Sequence, residues 1–339
     1  ALCWKNMQEY GLTKKDKGYL DRMTMELEIL EELGFIDYIL LNWEVLNFCK
    51  EKNIPTGPGR GSAAGSLVLF FLGVTKVDPI KYNLFFERFV SRSRAKKIKG
   101  KDGVIYLDGS LLADVDNDIA YDRRSEVINY IKKKYEGRTC KVLNLVTLSG
   151  KLCIKEVGKL VGLKDEEEMN EVSDQIPVTF GKVAPLREAV EQNEKFAEWT
   201  QSNPKAFAVA LKVEGLIKNT GVHASGIAIS HHELTDICPI QKTKEGDLIS
   251  CYDMNWIAEL TVKFDILGLK TLTVLNDTKK ILKGTQDIDL NFEKIDLGDK
   301  FIYKNLQELR LKGGQGLFQI EADTNFDVCC TVKPRNLEE

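Results

Sequence analysis

The segment Ala113-Asp114-Val115-Asp116-Asn117-Asp118-Ile119 places three carboxylates on alternate residues. On a strand, where successive side chains point to opposite faces, Asp114, Asp116 and Asp118 project from one face. Three like charges on one face repel, at a cost in stability, unless cations sit among them. Hard oxygen donors at this spacing suit Mg²⁺. A pair of divalent ions held by carboxylates is the machinery of phosphoryl and nucleotidyl transfer. The bland alternative is a solvated edge strand or turn. Against it stand the hydrophobic flanks, the basic run before the segment, and Asp265. That residue ends the apolar run Leu260-Thr261-Val262-Lys263-Phe264-Asp265, just before a glycine-containing turn. A strand ending beside the alternating aspartates would complete a two-metal clamp.

A second feature is the loop Gly57-Pro58-Gly59-Arg60-Gly61-Ser62, which leads into a small-residue helix. Bare backbone N–H groups running into a helix make a sound phosphate cradle. The loop is not a Walker A sequence, since no lysine precedes Ser62, and its flanks lack the unit of a dinucleotide fingerprint. A structural turn is the competing reading; Arg60 and Ser62 add charge and a hydroxyl, which favours a triphosphate ligand. Residues 88–101 hold Arg88, Arg92, Arg94, Lys96, Lys97, Lys99 and Lys101 and no acid, either a solvated face or a grip on a nucleic-acid backbone. Lys263 shares a strand face with Asp265, either solvated or paired with substrate phosphates. His223 is expected to be a hydrogen-bonded structural residue, and His231 and His232 exposed turn residues, because three histidines without ligand spacing argue against zinc.

Length allows two or more domains in 339 residues. A formal net charge of -3 neither implies nor excludes nucleic acid, because a binding face needs only local charge. Eight scattered cysteines with no Cys-x-x-Cys pair suggest a reduced, cytoplasmic protein. The apolar run Ser66–Leu72 is too short to span a membrane, and no signal peptide is visible. The abrupt start at Ala1-Leu2-Cys3 suggests a fragment of a longer polypeptide.

Helical spacing over 19–50, broken at Gly34, predicts two helices. Tyr82–Phe89 reads as a short aromatic helix, and Val104–Leu107 as a strand in a hairpin with the aspartate segment. Arg123–Tyr135 reads as a helix. Residues 144–220 read as mostly helical, with polar linkers near 164–170 and 201–204. Strands follow at Ile227–Ser230 and Leu260–Asp265, then a helix over Leu269–Leu282.

In order, these motifs resemble those of the C-family replicative DNA polymerases, the bacterial DNA polymerase III alpha subunits. Gly57–Ser66 resembles the family's glycine-serine motif, and Phe86-Glu87-Arg88-Phe89 the segment before its first catalytic strand. Asp114 and Asp116 fall on its metal-binding aspartates, with Asp118 at a third acidic position not usually counted as a ligand. Gly221–Gly226 resembles its histidine-alanine-glycine stretch. Lys263–Lys270 is close to its last palm motif, with Asp265 as the third catalytic carboxylate, and Gly316–Glu321 resembles a segment early in the fingers. Extra residues before the aspartates, with Ala113 in place of a proline, suggest a phage or other mobile-element member.

The resemblance implies an α/β (α+β) fold: a polymerase beta-like nucleotidyltransferase palm with an inserted helical thumb and the start of the fingers. Its boundaries would be palm 1–144, thumb 145–220, palm again 221–272, and fingers from 273 to 339. It implies a template-directed DNA-directed DNA polymerase. Asp114, Asp116 and Asp265 would hold two Mg²⁺ ions, and Gly59, Arg60, Gly61, Ser62, Arg88 and Lys263 would hold the triphosphate. Lys96, Lys97, Lys99, Lys151, Lys155 and Lys159 would lie along the DNA, with Asp118 and His223 supporting. Partners would be primer-template DNA, dNTP, the missing polymerase domains or a chain carrying them, and a sliding clamp through absent regions, with no membrane. The alternatives are a catalytically incomplete nucleic-acid-binding fragment and another metal-dependent nucleotidyltransferase.

Overall fold

The helical spacing of the first fifty residues becomes α1 (Leu2–Glu9), α2 (Lys17–Glu32) and α3 (Ile36–Glu51). Gly34, at φ +69°, makes the turn between α2 and α3 in a backbone region that disfavours other residues. The computed structural model describes residues 1–92, 97–99, 105–107, 114–161, 166–179, 181–307 and 316–339. The apolar run after the glycine loop is a one-turn core helix, α4 (Leu67–Phe71), with every residue buried. Met7, Met23, Leu30, Val45, Phe71 and Phe86 fill the core around it.

A buried carboxylate locks this helical layer to the glycine loop. Glu26, on α2, accepts from Ser66 Oγ (2.9 Å), Leu67 N–H (3.0 Å) and Val68 N–H (3.0 Å) at the start of α4. Arg22, one turn earlier, donates from Nε to Glu26 at 2.6 Å and from Nη2 to Gly65 C=O (2.9 Å) and Leu84 C=O (3.1 Å). Burial pushes the Glu26 carboxyl above its ordinary pKa, while the two amides, Arg22 and Ser66 pull it back. The stretch 61–65 is a single 3-10 turn, and Ser66 caps α4 by accepting from Leu69 N–H.

The chain continues through β1 (Lys97–Lys99), β2 (Ile105–Leu107), β3 (Asn117–Ala120), α5 (Arg124–Lys134) and β4 (Thr139–Thr147). A helical unit follows: α6 (Gly150–Leu160), α7 (Glu166–Asp174), the short strands β5 (Val178–Thr179) and β6 (Lys182–Val183), then α8 (Leu186–Gln192), α9 (Glu194–Ser202) and α10 (Pro204–Val213). It has its own core of Ile154, Val157, Met169, Leu186 and Phe196. Asn193 caps α9, and Pro204 opens α10, where its missing N–H costs nothing. Next come β7 (Ile217–Ile229), β8 (Ile240–Lys242), β9 (Leu248–Asp253), α11 (Met254–Leu260) and β10 (Val262–Leu269). Three helices close the chain: α12 (Lys270–Gln286), α13 (Lys300–Gln307) and α14 (Asp323–Val332).

One six-stranded mixed sheet organises the middle of the molecule, in the order β3-β10-β7-β4-β9-β8. β3 runs parallel to β10, and β4 parallel to β9; the other neighbours are antiparallel. The fold is therefore a mixed α/β one. Among the described residues no helix is long and apolar enough to cross a membrane.

Several expectations are corrected. The aspartate segment does not form a hairpin with 105–107: β2 pairs antiparallel with β1, while β3 is taken up by β10. Val104 lies outside the described residues. Tyr82–Phe89 is a turn plus a 3-10 turn at Phe86–Arg88, because Phe85 is extended and its C=O packs against Gly65, where a Cβ would come within 2.6 Å. Glu166–Asn170, expected in a linker, open α7, whose three glutamates in the first turn suit a helix N-terminus. The helical stretch is bracketed by strands, since β4 runs to Thr147 and β7 starts at Ile217. Asp265 does not end its strand; β10 continues to Leu269 because its second half pairs with β3.

Glu26→Ala would strand Arg22, Ser66 Oγ and two amides in the core. We expect it to cost about 3–5 kcal/mol, read from urea unfolding monitored by tryptophan fluorescence.

Candidate functional site

Two strands far apart in sequence bring the acidic residues to one edge of the sheet. The β3–β10 register begins at the pair Ile266–Asn117, and Asp265 and Asp116 occupy the positions immediately before it. On its other side Asp265 pairs with Gly226 of β7. The charges of Asp116 and Asp265 both act on Asp114, whose carboxyl is pushed up by burial, held down by Lys263, and raised further by those two neighbours.

The glycine loop is stitched to the same edge. Gly57 N–H donates to Asp118 C=O at 2.9 Å, and Ala120 N–H donates to Pro55 C=O at 3.0 Å, so residues 55–57 run beside β3. A Cβ at Gly57 would sit 2.9 Å from Asp118 Cβ, so this close approach needs glycine. Gly59 and Gly61 take φ +93° and +65°, and a Cβ at Gly59 would lie 2.8 Å from Thr75 Cγ2. The loop thereby delivers Arg60 to the carboxylates: its Nε lies 3.3 Å from Asp116 Oδ2 and 3.9 Å from Asp118 Oδ2. Ser62 is half-buried in the following turn.

Cations also meet the third carboxylate. Lys263 Nζ lies 2.7 Å from Asp265 Oδ2, and Phe264 between them is fully buried, which keeps both charged side chains on one face. Asp265 Oδ1 and Asp118 Oδ1 are buried with no hydrogen-bond partner among the described residues. Burial pushes the Asp118 carboxyl above the ordinary range, Arg60 opposes the shift and Asp116 adds to it. Among the described residues, no three His, Cys, Asp or Glu side chains are gathered as an ion's ligand set. Arg60 and Lys263 are the partners of the carboxylates in this structure.

The other expected site residues are distributed. Arg88 is exposed, and its guanidinium makes no hydrogen bond or ion pair among the described residues. Lys151, Lys155 and Lys159 form one stripe along α6; Lys151 pairs with Asp174 at 3.2 Å and Lys159 with Glu166 at 3.7 Å. Lys97 and Lys99 fall on β1; Lys96, Arg94, Lys101 and Ala113 lie outside the described residues. His223 sits in a bulge of β7, where the register against β4 jumps, and its Nδ1 accepts from Gly226 N–H at 2.8 Å and Ser225 N–H at 3.3 Å. His231 and His232 are exposed in a bend.

Sequence reasoning missed two residues that touch this edge. Arg124 of α5 crosses Gly268, where a Cβ would come within 2.9 Å of Arg124 Cδ, and donates from Nε to Ile266 C=O at 2.8 Å and from Nη2 to Ala224 C=O. It ties β10 and the β7 bulge to α5. Tyr38 of α3 is buried beneath the aspartates; burial pushes its hydroxyl up to about 12, the bond from Val115 N–H opposes this, and Asp114 and Asp265 add to it. In the sequence Tyr38 is one more residue of an apolar helix face. A groove of about 1160 Å³ between α1, α3 and α12 includes none of these carboxylates in its lining.

A sheet edge that gathers aspartates, two cations and a glycine loop is the kind of site found in proteins that handle phosphates. Residues 1–268 match the family model of the bacterial DNA polymerase III alpha NTPase domain, and residues 271–339 that of the bacterial DNA polymerase III alpha subunit finger domain. The chain belongs to the bacterial DNA polymerase III alpha family. It is 31% identical over 325 residues to the DNA polymerase III subunit alpha of Thermus aquaticus, covering 94% of this chain and 25% of the relative. The same subunit of Aquifex aeolicus is 32% identical over 368 residues (100% and 30%), and that of Deinococcus radiodurans 34% over 331 residues (94% and 23%). The chain thus spans about a quarter to a third of the length of these curated relatives.

A carboxyl whose folded pKa is raised stabilises the fold only while protonated, and that contribution is lost as pH rises through the folded pKa. Asp118→Asn is therefore expected to raise the thermal midpoint at pH 7.5 by roughly 2–4 °C. Scanning calorimetry at falling pH would follow the gain as it fades, since the parent's Asp118 takes up its proton.

Proposed function

We propose that the chain is the catalytic part of a template-directed DNA polymerase, with residues 1–144 and 221–272 as the palm, 145–220 as the thumb and 273–339 as the start of the fingers. The observation that carries this reading is the meeting, at one sheet edge, of the aspartates of the β3 region, Asp265 of β10 and the glycine loop. The family to which the chain belongs, whose named relatives are DNA polymerase III subunit alpha, supports the same substrate class: primer-template DNA and dNTP. The parts of the relatives beyond this segment would supply the rest of the fingers and a sliding-clamp contact.

The donor set supports a hard divalent ion. Its ligands are carboxylates, the charges of Asp116 and Asp265 act on Asp114, and the buried Asp265 Oδ1 lacks a protein partner among the described residues. Asp114, Asp116 and Asp265 would hold two Mg²⁺ ions, which when bound supply charge neutralisation at the triphosphate and acidify the attacking 3′-hydroxyl. Arg60 and Lys263, now paired with carboxylates, would turn to phosphate oxygens as charge-assisted donors. Gly59, Gly61 and Ser62 would cradle the phosphates through backbone N–H groups and a hydroxyl. Arg88 would add charge there. Lys151, Lys155 and Lys159 would follow the duplex backbone without reading sequence.

The test is primer extension by the polymerase carrying this segment at its full relative-like length. Single Asp114→Asn, Asp116→Asn and Asp265→Asn variants are expected to lose roughly 10²–10³-fold or more in rate while binding primer-template as the parent does. Parental extension by any of them removes that residue from catalysis. Loss of nucleic-acid binding with retained nucleotide turnover would favour a transferase using small acceptors.

A further inference from the structure

The ladder between β3 and β10 starts at Asn117, so Asp114, Val115 and Asp116 lie outside any strand. Side chains hold this stretch instead. Val115 N–H donates to Tyr38 Oη at 3.0 Å, and Val115 C=O accepts from Asn117 Nδ2 at 3.1 Å. Asn117 Nδ2 also donates to Asn42 Oδ1 at 2.8 Å, and Asn42 Nδ2 donates to the Tyr38 C=O at 2.9 Å. Tyr38 and Asn42 are one turn apart on α3, so they share a helix face. Tyr38 is 8% exposed, Asn42 0% and Asn117 3%.

Hydrophobic residues of the same size would fill this space, and most of the surrounding cluster is hydrophobic. What the polar trio adds is control of two peptide groups. The Val115 N–H belongs to the peptide that joins it to Asp114, and its C=O to the peptide that joins it to Asp116. Rotation of either peptide would swing one of those carboxylates away from the other. A buried network with every bond satisfied fixes such a segment in a single arrangement.

We propose that Tyr38, Asn42 and Asn117 are positioning residues: a brace that presets Asp114 and Asp116 for a divalent ion, where the sheet itself does not reach. The inference rests on the carboxylate reading above. The geometry gives α3 a function beyond packing: its Tyr38 holds the Val115 N–H directly, and its Asn42 holds Asn117, whose amide in turn holds the Val115 C=O.

The probe is Mn²⁺, titrated into the 339-residue chain by calorimetry and by loss of its paramagnetic resonance signal. Tyr38→Phe is expected to weaken binding roughly 10-fold. The double variant Asn42→Leu with Asn117→Leu removes both amides of that pair together and leaves only the Val115 C=O without its donor, so its thermal midpoint should fall by no more than a few degrees. It releases the Val115 C=O, and its Mn²⁺ affinity should also fall roughly 10-fold. A merely structural trio would let affinity follow the thermal midpoint. Parental affinity in both variants, with binding still abolished by Asp114→Asn, overturns the brace alone. Mn²⁺ binding that ignores Asp114→Asn and Asp265→Asn, or no binding by the parent, overturns the carboxylate reading and the brace with it.

Discussion

The structure turns on a parallel pairing between two strands nearly half the chain apart. β3 is only four residues long, and it forms the edge of the sheet beside β10. A parallel pair cannot be closed by a tight turn; it needs a long crossover. Here that crossover contains α5, the helical unit α6–α10 and four more strands of the same sheet. Everything between the two acidic segments must therefore be accommodated within that crossover. A one-residue slip in the register would turn every side chain to the opposite face. The buried Ile119, Phe264 and Ile266 oppose such a slip, because it would move them out of the core and the carboxylates into it.

Holding like charges at one edge creates an electrostatic problem that the fold answers from two directions. Lys263 comes from the same strand as Asp265, two residues away, so it is tied to that carboxylate by strand geometry alone. Arg60 comes from a loop and reaches Asp116 and Asp118 only because Gly57 lets the backbone approach β3. Neither cation cancels the strain. Asp114 and Asp118 both remain harder to ionise than free aspartate, with burial the main cause. An edge in that condition favours any further positive charge, which is what marks it as a candidate site.

Local patterns were the legible part. The glycine spacing at 57–61, the break at Gly34 and the α2 and α3 periodicity are all short-range signals, and each marks a real feature of the backbone, whereas of the three alternating aspartates only Asp118 falls on a strand. The illegible part is tertiary. The hairpin expected between the aspartate segment and the nearest strand in sequence does not form, and β3 pairs instead with the strand at 262–269 that carries Asp265. Strands β8 and β9 and helix α11 are short and carry no strong period. Tyr38 and Arg124 could not be singled out, since an aromatic on an apolar helix face and an arginine in an exposed-looking helix carry no mark of what they will touch. Glu26 is the sharpest case: nothing in the run Met25-Glu26-Leu27 distinguishes a buried carboxylate from an ordinary helical glutamate.

Rigidity is distributed unevenly, and the pattern is informative. Glu26 and Arg22 hold the glycine turn from behind, Arg124 holds β10 and the β7 bulge from the side, and side chains of α3 hold the stretch ahead of β3. Each support is a polar side chain that bonds backbone groups of a neighbouring loop, helix start, bulge or strand. Such contacts contribute little net stability when formed, yet removing one partner strands the other. They therefore penalise alternative arrangements of the edge more than they strengthen the native one. By contrast, α12 and α14 bury no residue, and Val274, Ile281 and Phe301 stand largely exposed. The polar supports converge on the edge that carries the carboxylates, and the exposed apolar side chains lie on the closing helices.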